Sequence, residues 1–266
     1  MTDREPTLAE LLICACAEAF RGNGELLASG IGTLPRIAVG LAKLSHSPEL
    51  LMTDGEAYLI EEPIPLGPRT APPSYAGWMP YERVFDVVWR GDRHAMVSPV
   101  QIDRWGQSNI SVIGDFAKPK VQMLGVRGFP GNTINHINSM FVPKHSPRVF
   151  LEGEVDLVGS VGHKAERWPA GVKRDFVDLR RIITDLAVMD FGGPDQAIRV
   201  VGLHPGVSFG DVQRATGFPL IEADELSETP LPTAEQLAII DRLDPTHLRA
   251  SVIKDDPPAR RPVEMA

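Results

Sequence analysis

Cysteine is scarce in this sequence, where Cys14 and Cys16 are the only two among 266 residues. They are two positions apart in a predicted helix, so their side chains do not face each other, and we interpret them as buried thiols and not as a redox or metal pair. The seven histidines are scattered and form no H-x-x-x-H motif, nor is there a C-x-x-C motif. We therefore expect no metal site.

Long apolar runs and an excess of basic residues are also missing. No run approaches the roughly 20 apolar residues that span a bilayer, and the formal net charge is -8. An acidic chain lacks the basic surface that nucleic acids and anionic membranes attract, so we expect small molecules or proteins as partners. The opening stretch MTDREPTLAEL lacks the basic-then-apolar order of a signal peptide, which predicts a cytoplasmic protein.

The pattern of apolar runs predicts an α/β fold. Thr7 and Glu10 have the spacing of a capping box, which predicts a helix over residues 7–20. Further helices are predicted at 210–216 and 233–243. Apolar runs typical of buried strands recur between them, including FDVVWR, HAMVSPVQI, RVFLEGEVDLVG and AIRVVGLH. We expect one domain over residues 1–253, built on an open, mostly parallel sheet with helices on both faces, and a mobile tail over 254–266.

Residues 61–80 contain six prolines, which exclude a regular helix or a central strand. An irregular segment of that length inside a compact domain is usually functional or packs against a partner.

The segment GVSFG, residues 206–210, matches the G-x-S-x-G motif that presents a nucleophilic serine in many hydrolases. The alternative is that Ser208 caps a helix, with Asp211 at its third position. Pro205 breaks the strand that should precede the nucleophile, and only His247 follows as a base. These features favour the cap.

Two polar stretches are candidates for function. The loop GVRGFPGNTINHIN, residues 125–138, combines glycines, asparagines, an arginine and a histidine after a strand. Its glycines let the backbone approach a substrate and Arg127 can hold a carboxylate or phosphate, although asparagines that bind their own backbone are the structural alternative. The stretch QIDRWGQSNIS, residues 101–111, is predicted from its local chemistry to be a hairpin or turn held by side-chain hydrogen bonds.

The order of these motifs resembles the β subunit of class I coenzyme A transferases over roughly residues 8–245. The stretch QIDRWGQSNIS is similar to the family element Q-x-D-x-x-G-N-x-N, with Gln107 in place of the usual asparagine, and PGVSFGDV is similar to its closing helix entry. The stretches LLMTDGEA and GVRGFPGNTINH resemble most closely the β subunit of the actinobacterial CoA-transferase-like hydrolase that opens the last ring in cholesterol catabolism. The resemblance implies an α/β sheet and an active site shared with an α subunit, in an αβ or α2β2 assembly.

One turn departs from the transferase pattern. The resemblance implies an E-N-G or E-S-G turn whose glutamate forms a covalent CoA thioester, whereas this sequence reads T-D-G-E at residues 53–56. With the glycines aligned, Thr53 stands at the nucleophile position, and Asp54 is displaced by one residue toward the opposite face of an extended chain. The family's G-G-x-x-D loop is replaced by GVRGFPGN. We therefore expect no covalent glutamyl-CoA on this chain.

The implied function is that of a β subunit in a hydrolase that opens the ring of a cyclic β-keto acyl-CoA. The catalytic base is then expected on the α subunit, and coenzyme A enters as part of the substrate, with no other cofactor. The residues implied as substrate contacts are Thr53, Asp54, Gly55, Glu56, Arg127, Gly128, Asn132, Asn135 and His136. Two alternatives remain: a conventional CoA transferase that uses Asp54 or Glu56, and a non-catalytic scaffold subunit.

Overall fold

The computed structural model describes residues 4–55, 58–69, 71–123, 125 and 128–261. By its internal contacts the chain divides into two compact units: one comprises the chain up to Val97 and from Pro230 onward, and the other runs from Ser98 to Thr229. The sequence does not reveal this division, because the chain leaves the first unit at Val97 and returns to it only at Pro230. That the two fold as a single domain over 1–253 stays a prediction.

The first unit contains four α-helices and five strands among its described residues. Its helices are α1 (Leu8–Glu18), α2 (Thr33–Leu44), α3 (Tyr81–Arg90) and, after the second unit, α6 (Ala234–Leu243). Its strands are β1 (Leu27–Gly30), β2 (Met52–Thr53), β3 (Tyr58–Ile60), β4 (Tyr75–Trp78) and β5 (Arg93–Val97).

The second unit is richer in strands. Its helices are α4 (Phe129–Asn135) and α5 (Phe209–Arg214). Its strands are β6 (Gln101–Ile102), β7 (Ser108–Asn109), β8 (Val112–Ile113), β9 (Val121–Gln122), β10 (Ile137–Val142), β11 (Leu179–Thr184), β12 (Ala187–Asp190), β13 (Arg199–Leu203) and β14 (Ile221–Glu228). In the described part of the chain, no helix is long and apolar enough to cross a membrane.

Local chemistry explains why α1 begins where it does. Thr7 Oγ1 accepts the backbone N–H of Glu10, and the Glu10 carboxylate accepts the N–H of Thr7, which is the predicted capping box. Cys14 and Cys16 are buried free thiols on this helix, as predicted. Burial raises the pKa of the Cys14 thiol to about 12, and it raises that of Cys16 as well, so neither forms a reactive thiolate near neutral pH.

The strand pairings confirm the predicted α/β class. In the first unit β1 pairs in parallel with β5. In the second unit β10 and β11 are parallel, β12 is antiparallel to both β11 and β13, and β13 and β14 are parallel. Three of these five pairings are parallel, which gives the mostly parallel sheet expected when helices form the connections.

The turn from β1 into α2 depends on glycine. A Cβ atom on Gly30 would lie 2.2 Å from the carbonyl oxygen of Pro35, so only glycine allows this close approach. Gly32, the N-cap of α2, has a φ of 109°, which also favours glycine. The turn therefore directs α2 immediately after β1 and places Arg36 in its early turns.

The run FDVVWR, predicted to be a strand, lies in helix α3. Tyr81, Phe85 and Trp89 recur every four residues, which is the spacing of one helical face, and Gly91 closes the helix with a left-handed φ of 80°. None of the ten residues of α3 is buried. Its aromatic face is therefore exposed, and the run is too short for its apolar period alone to distinguish a helix from a strand.

Part of the segment predicted as a mobile tail is bound to α1. Asp256 Oδ1 accepts the Ala9 N–H at 2.9 Å, and the Pro257 carbonyl accepts the Leu8 N–H at 2.7 Å. The first turn of a helix has backbone donors with no partner in the helix, and this segment supplies acceptors for two of them. Residues 262–266 of the predicted tail lie outside the described residues.

Candidate active site

The turn after β2 holds the first group of predicted site residues. β2 and β3 form an antiparallel hairpin in which Thr53 is opposite Leu59. The Asp54 N–H donates to the Tyr58 carbonyl at 3.0 Å, and Asp54 Oδ1 accepts the Tyr58 N–H at 3.3 Å. Gly55 takes a φ of 94°, the left-handed conformation that suits glycine. Thr53, Asp54 and Gly55 are thus brought together, whereas Glu56 lies outside the described residues.

The Asp54 carboxylate closes this turn and is not presented freely to solvent. Its residue is only 8% exposed, and one oxygen already serves the Tyr58 N–H across the hairpin. Thr53 Oγ1 similarly accepts the Gly55 N–H at 3.3 Å. Both side chains therefore stabilise the turn itself, which is the behaviour that short polar residues show in tight turns.

A second group of predicted residues lies on α4, in the other unit. Residues 129–135, predicted to lie in a loop, form this short helix, which begins after Gly128 in a left-handed φ of 76°. Asn135 Nδ2 donates to the Gly131 carbonyl at 2.7 Å, so this asparagine satisfies its own backbone. Arg127 lies outside the described residues.

His136 ends α4 as a buried imidazole. Its Nδ1 lies 2.9 Å from the Ile137 carbonyl oxygen, and because a carbonyl only accepts, Nδ1 carries the proton. In the neutral ring Nε2 is then a hydrogen-bond acceptor. Neutral His136 can accept a proton or a hydrogen bond through Nε2, and it can donate to a substrate oxyanion there only when the ring is protonated.

Two residues near these groups were not among the predicted contacts. Asn138, at the start of β10, donates through Nδ2 to the carbonyls of Asn132 and His136 at 3.0 and 2.7 Å and so fixes the end of α4. Arg36 of α2 stands beside the turn, since a Cβ atom on Gly55 would lie 4.0 Å from Arg36 Nη1. No sequence motif marks Arg36, because packing brings it to the turn from a separate helix, whereas Asn138 ends the stretch 125–138 and contacts residues only two and six positions before it.

The stretch QIDRWGQSNIS forms the predicted hairpin from β6 and β7. Asp103 Oδ1 accepts the N–H groups of Trp105 and Gln107 at 2.9 and 2.8 Å, and Asn109 Nδ2 donates to Gln101 Oε1 at 2.7 Å. Burial raises the pKa of the Asp103 carboxyl, although these N–H groups and Lys164 oppose the shift. The prediction of a turn held by side-chain hydrogen bonds is confirmed.

Ser208 caps helix α5. Its hydroxyl accepts the Asp211 N–H at 3.2 Å and donates to Asp211 Oδ2 at 2.6 Å, which completes a capping box with the Ser208 backbone N–H. The cap interpretation of GVSFG is confirmed. The hydroxyl donates to a carboxylate of its own helix, whereas the serine of a catalytic triad donates to a histidine.

The chain is similar to known proteins over nearly its whole length. No model of a protein family matches it. It is 44% identical over 249 residues, 93% of this chain and 96% of the relative, to the cholesterol ring-cleaving hydrolase IpdB subunit of Rhodococcus jostii. It is 30% identical over 253 residues, 88% of this chain and 92% of the relative, to a subunit of the 3-oxoadipate CoA-transferase of Pseudomonas knackmussii.

A solved structure agrees with these relatives. The crystal structure of Rhodococcus jostii IpdAB matches with a TM-score of 0.86 and 43% identity, over 94% of this chain and 99% of the matched chain. The resemblance inferred from the T-D-G turn and the loop at 125–138 is thereby confirmed. The chain belongs to the CoA-transferase-like family of the cholesterol ring-cleaving hydrolase IpdB subunits.

Proposed function

We propose that this chain is the β subunit of a hydrolase that opens the ring of a cyclic β-keto acyl-CoA in steroid catabolism. The observation that carries the proposal is the state of the T-D-G turn, where the Asp54 carboxylate is nearly buried and accepts the Tyr58 N–H. A covalent transferase needs an accessible carboxylate that attacks the acyl-CoA. A hydrolase needs only water, and the relative from Rhodococcus jostii is a subunit of a ring-cleaving hydrolase.

The chemistry requires a base and a means of stabilising negative charge. A base takes a proton from water, and the resulting hydroxide adds to the ring ketone. The bond between that carbon and the α-carbon of the thioester then breaks, its electron pair forms a thioester enolate, and a proton returns to the α-carbon. We assign the base to the partner α subunit, because the Asp54 carboxylate of the T-D-G turn accepts a hydrogen bond within the turn itself.

We propose two groups of substrate contacts on this chain. One is the turn of Thr53, Asp54 and Gly55 with the following Glu56. The other is Arg127 and Gly128 with Asn132, Asn135 and His136. The tautomer of His136 gives it a specific part in this proposal: in the neutral form its Nε2 accepts a hydrogen bond, from water or from a protonated group, rather than stabilising an oxyanion. A cytoplasmic location is part of the same proposal.

Dependence on an acceptor acid separates this function from CoA transfer. The chain would be co-expressed with its α subunit and incubated in ¹⁸O-water with a cyclic β-keto acyl-CoA, with and without a carboxylic acid acceptor. We expect a ring-opened CoA ester that contains ¹⁸O at the new carboxylate, at a rate that the acceptor does not change. Turnover that requires the acceptor, with CoA transferred to it, would establish the transferase alternative instead.

The scaffold alternative is tested by variants of the two groups of contacts. Thr53→Ala and Asn132→Ala are expected to lower kcat/KM of the assembled complex by about tenfold or more, as loss of positioning groups does. If both variants assemble with the α subunit and turn over at the parental rate, this chain acts as a scaffold and the proposed contacts are wrong.

A further inference from the structure

The first unit contains two arginines, Arg36 and Arg69, that have no role in the proposed reaction. Arg36 lies in the early turns of α2, and Arg69 lies in the proline-rich segment after β3. Arg36 is half-buried beside the T-D-G turn, whereas Arg69 is exposed. Neither guanidinium makes a hydrogen bond or an ion pair with any residue that the structure describes.

The electrostatic surroundings of Arg36 are unfavourable without a further anion. Burial lowers the pKa of the Arg36 guanidinium, the charge of Asp54 opposes this, and the like charge of Arg69 lowers it again. A half-buried guanidinium has five N–H donors that normally find partners. Here the carboxylate that favours the charged form of Arg36 is that of Asp54, which is itself engaged in its turn.

The segment that carries Arg69 is fixed in place by α2 and α6. The Leu66 N–H donates to the Leu243 carbonyl at 2.8 Å. Pro63 is buried against α2, where a Cβ atom on Gly40 would lie 3.3 Å from its ring. Two anchors and several prolines limit the freedom of this segment, so the backbone at Arg69 loses little conformational entropy on binding.

A pocket of about 250 Å³ adjoins Arg69. Five prolines and Ile64 form most of its wall, and its charged lining residues are Arg69 and Glu62. Its volume is close to the lower limit of about 300 Å³ for small-molecule sites. A rigid apolar wall with a guanidinium at one side suits a compact organic group that carries an anionic oxygen group.

We propose that Arg36 and Arg69 form a binding site for an oxyanion of the acyl-CoA substrate, with the proline-walled pocket receiving the adjoining part of that molecule. Guanidinium groups bind carboxylates and phosphates through paired charge-assisted hydrogen bonds, so the chemistry of the site is the same for both. The inference rests on the proposed function, which supplies an acyl-CoA as the ligand. The anion is either a carboxylate on the acyl part or a phosphate of coenzyme A.

Binding measurements on the assembled complex test this site without turnover. Arg69→Met is the principal variant, because Arg69 is exposed and its replacement leaves the packing of α2 intact; Arg36→Met is the second. Arg83→Met is the matched control, since Arg83 is an exposed arginine of the same unit whose partner is Asp86 on its own helix. The probes are coenzyme A and glutarate, titrated by calorimetry at fixed ionic strength.

We expect Arg69→Met to raise the Kd of one probe by about tenfold to a hundredfold, as loss of a charge-assisted hydrogen bond does, and Arg83→Met to leave it unchanged. A loss confined to coenzyme A identifies a phosphate, and a loss confined to glutarate identifies an acyl carboxylate. Unchanged affinity for both probes overturns the proposal. It is equally overturned if Arg69→Met instead weakens assembly, because the arginines would then pair with the α subunit.

The binding test and the turnover test distinguish failure of this inference from failure of the proposed function. If the complex opens no ring but Arg69→Met still weakens binding of coenzyme A, the hydrolase proposal fails and the arginine site stands. If ring opening proceeds and neither arginine affects binding, the function stands and this inference fails.

Discussion

The Ser208 hydroxyl uses both of its hydrogen-bonding directions within the cap of α5, because it accepts from the Asp211 N–H and donates to the Asp211 carboxylate. Ser208→Ala should therefore lower the free energy of unfolding by about 1 kcal/mol, the usual cost of losing a helix cap. Turnover per assembled complex should stay within twofold of the parent. Urea unfolding and steady-state kinetics measure the two quantities.

Ser208→Thr is the matched control, since threonine keeps the capping oxygen and should restore most of the lost stability. If Ser208→Ala unfolds like the parent but loses turnover by a hundredfold or more, the serine has a chemical role and the cap interpretation is incomplete.

Single residues also show which parts of the candidate site can be predicted from the sequence. The T-D-G turn, and the replacement of the transferase glutamate by Thr53, can be read from the sequence because they lie in one short motif. The hydrogen bond from the Tyr58 N–H to Asp54 cannot, since it depends on the register of β2 against β3. Arg36 beside Gly55 is a contact between separate segments, and no local pattern indicates it.

At the scale of elements, the β6–β7 hairpin depends on a glycine. Gly106 has a φ of 77°, and a Cβ atom there would lie 2.5 Å from the ring of Phe191. Gly171 has a similar φ of 81°, but a Cβ atom there would meet no other atom within 4 Å. A side chain at Gly171 would therefore experience the backbone strain alone.

Gly171→Ala should destabilise the protein by about 1 kcal/mol through its left-handed backbone. Gly106→Ala should cost about 2–4 kcal/mol, because overpacking against Phe191 adds to the same strain. Thermal or urea unfolding of the two variants gives the comparison. Equal losses would show that the Phe191 ring moves aside freely and that the hairpin is not tightly packed.

The elements differ in how well the sequence predicts them. α1, α5 and α6 each begin after a residue whose side chain caps the helix, and such caps can be recognised from the local sequence. The strand predicted where α3 lies is wrong, because six apolar-rich residues do not define a period. The loop predicted where α4 lies is also wrong. Gly128 and Pro130 are typical of turns, which led to that prediction, but a left-handed glycine followed by proline can also begin a helix.

At the scale of the whole molecule, buried ion pairs join the two ends of the chain within the first unit. Arg249 donates to Glu10 Oε1 at 3.0 Å and to Asp244 Oδ2 at 3.2 Å, and Arg4 donates to Glu10 Oε2 at 2.7 Å. Glu10 is only 1% exposed. Removing one partner of a buried pair leaves the other charge unpaired, so Glu10→Gln should cost about 3–5 kcal/mol.

The same group makes stability depend on pH. Burial alone raises the pKa of Glu10, but hydrogen bonds from Arg4 and Thr7 and the charge of Arg249 outweigh it, so the folded-state pKa lies below its ordinary value of 4.5. This stabilisation is present above pH 4.5 and is lost as the pH falls through the lower folded-state pKa. Glu10→Gln should flatten the acid limb of a stability profile, whereas Glu5→Gln, at an exposed position, should leave it unchanged. If the stability of Glu10→Gln falls with acid as steeply as that of the parent, groups other than Glu10 govern the loss of stability at low pH.

The absence of a covalent intermediate is the central claim, and intact-mass spectrometry tests it most directly. The chain, assembled with its α subunit, would be incubated briefly with a cyclic β-keto acyl-CoA without any acceptor acid, and both subunits would be weighed. We expect ring-opened product and no gain of mass on this chain. A gain equal to a coenzyme A thioester, mapped to Asp54 or Glu56, would contradict the account, because the T-D-G-E turn would then hold a working nucleophile.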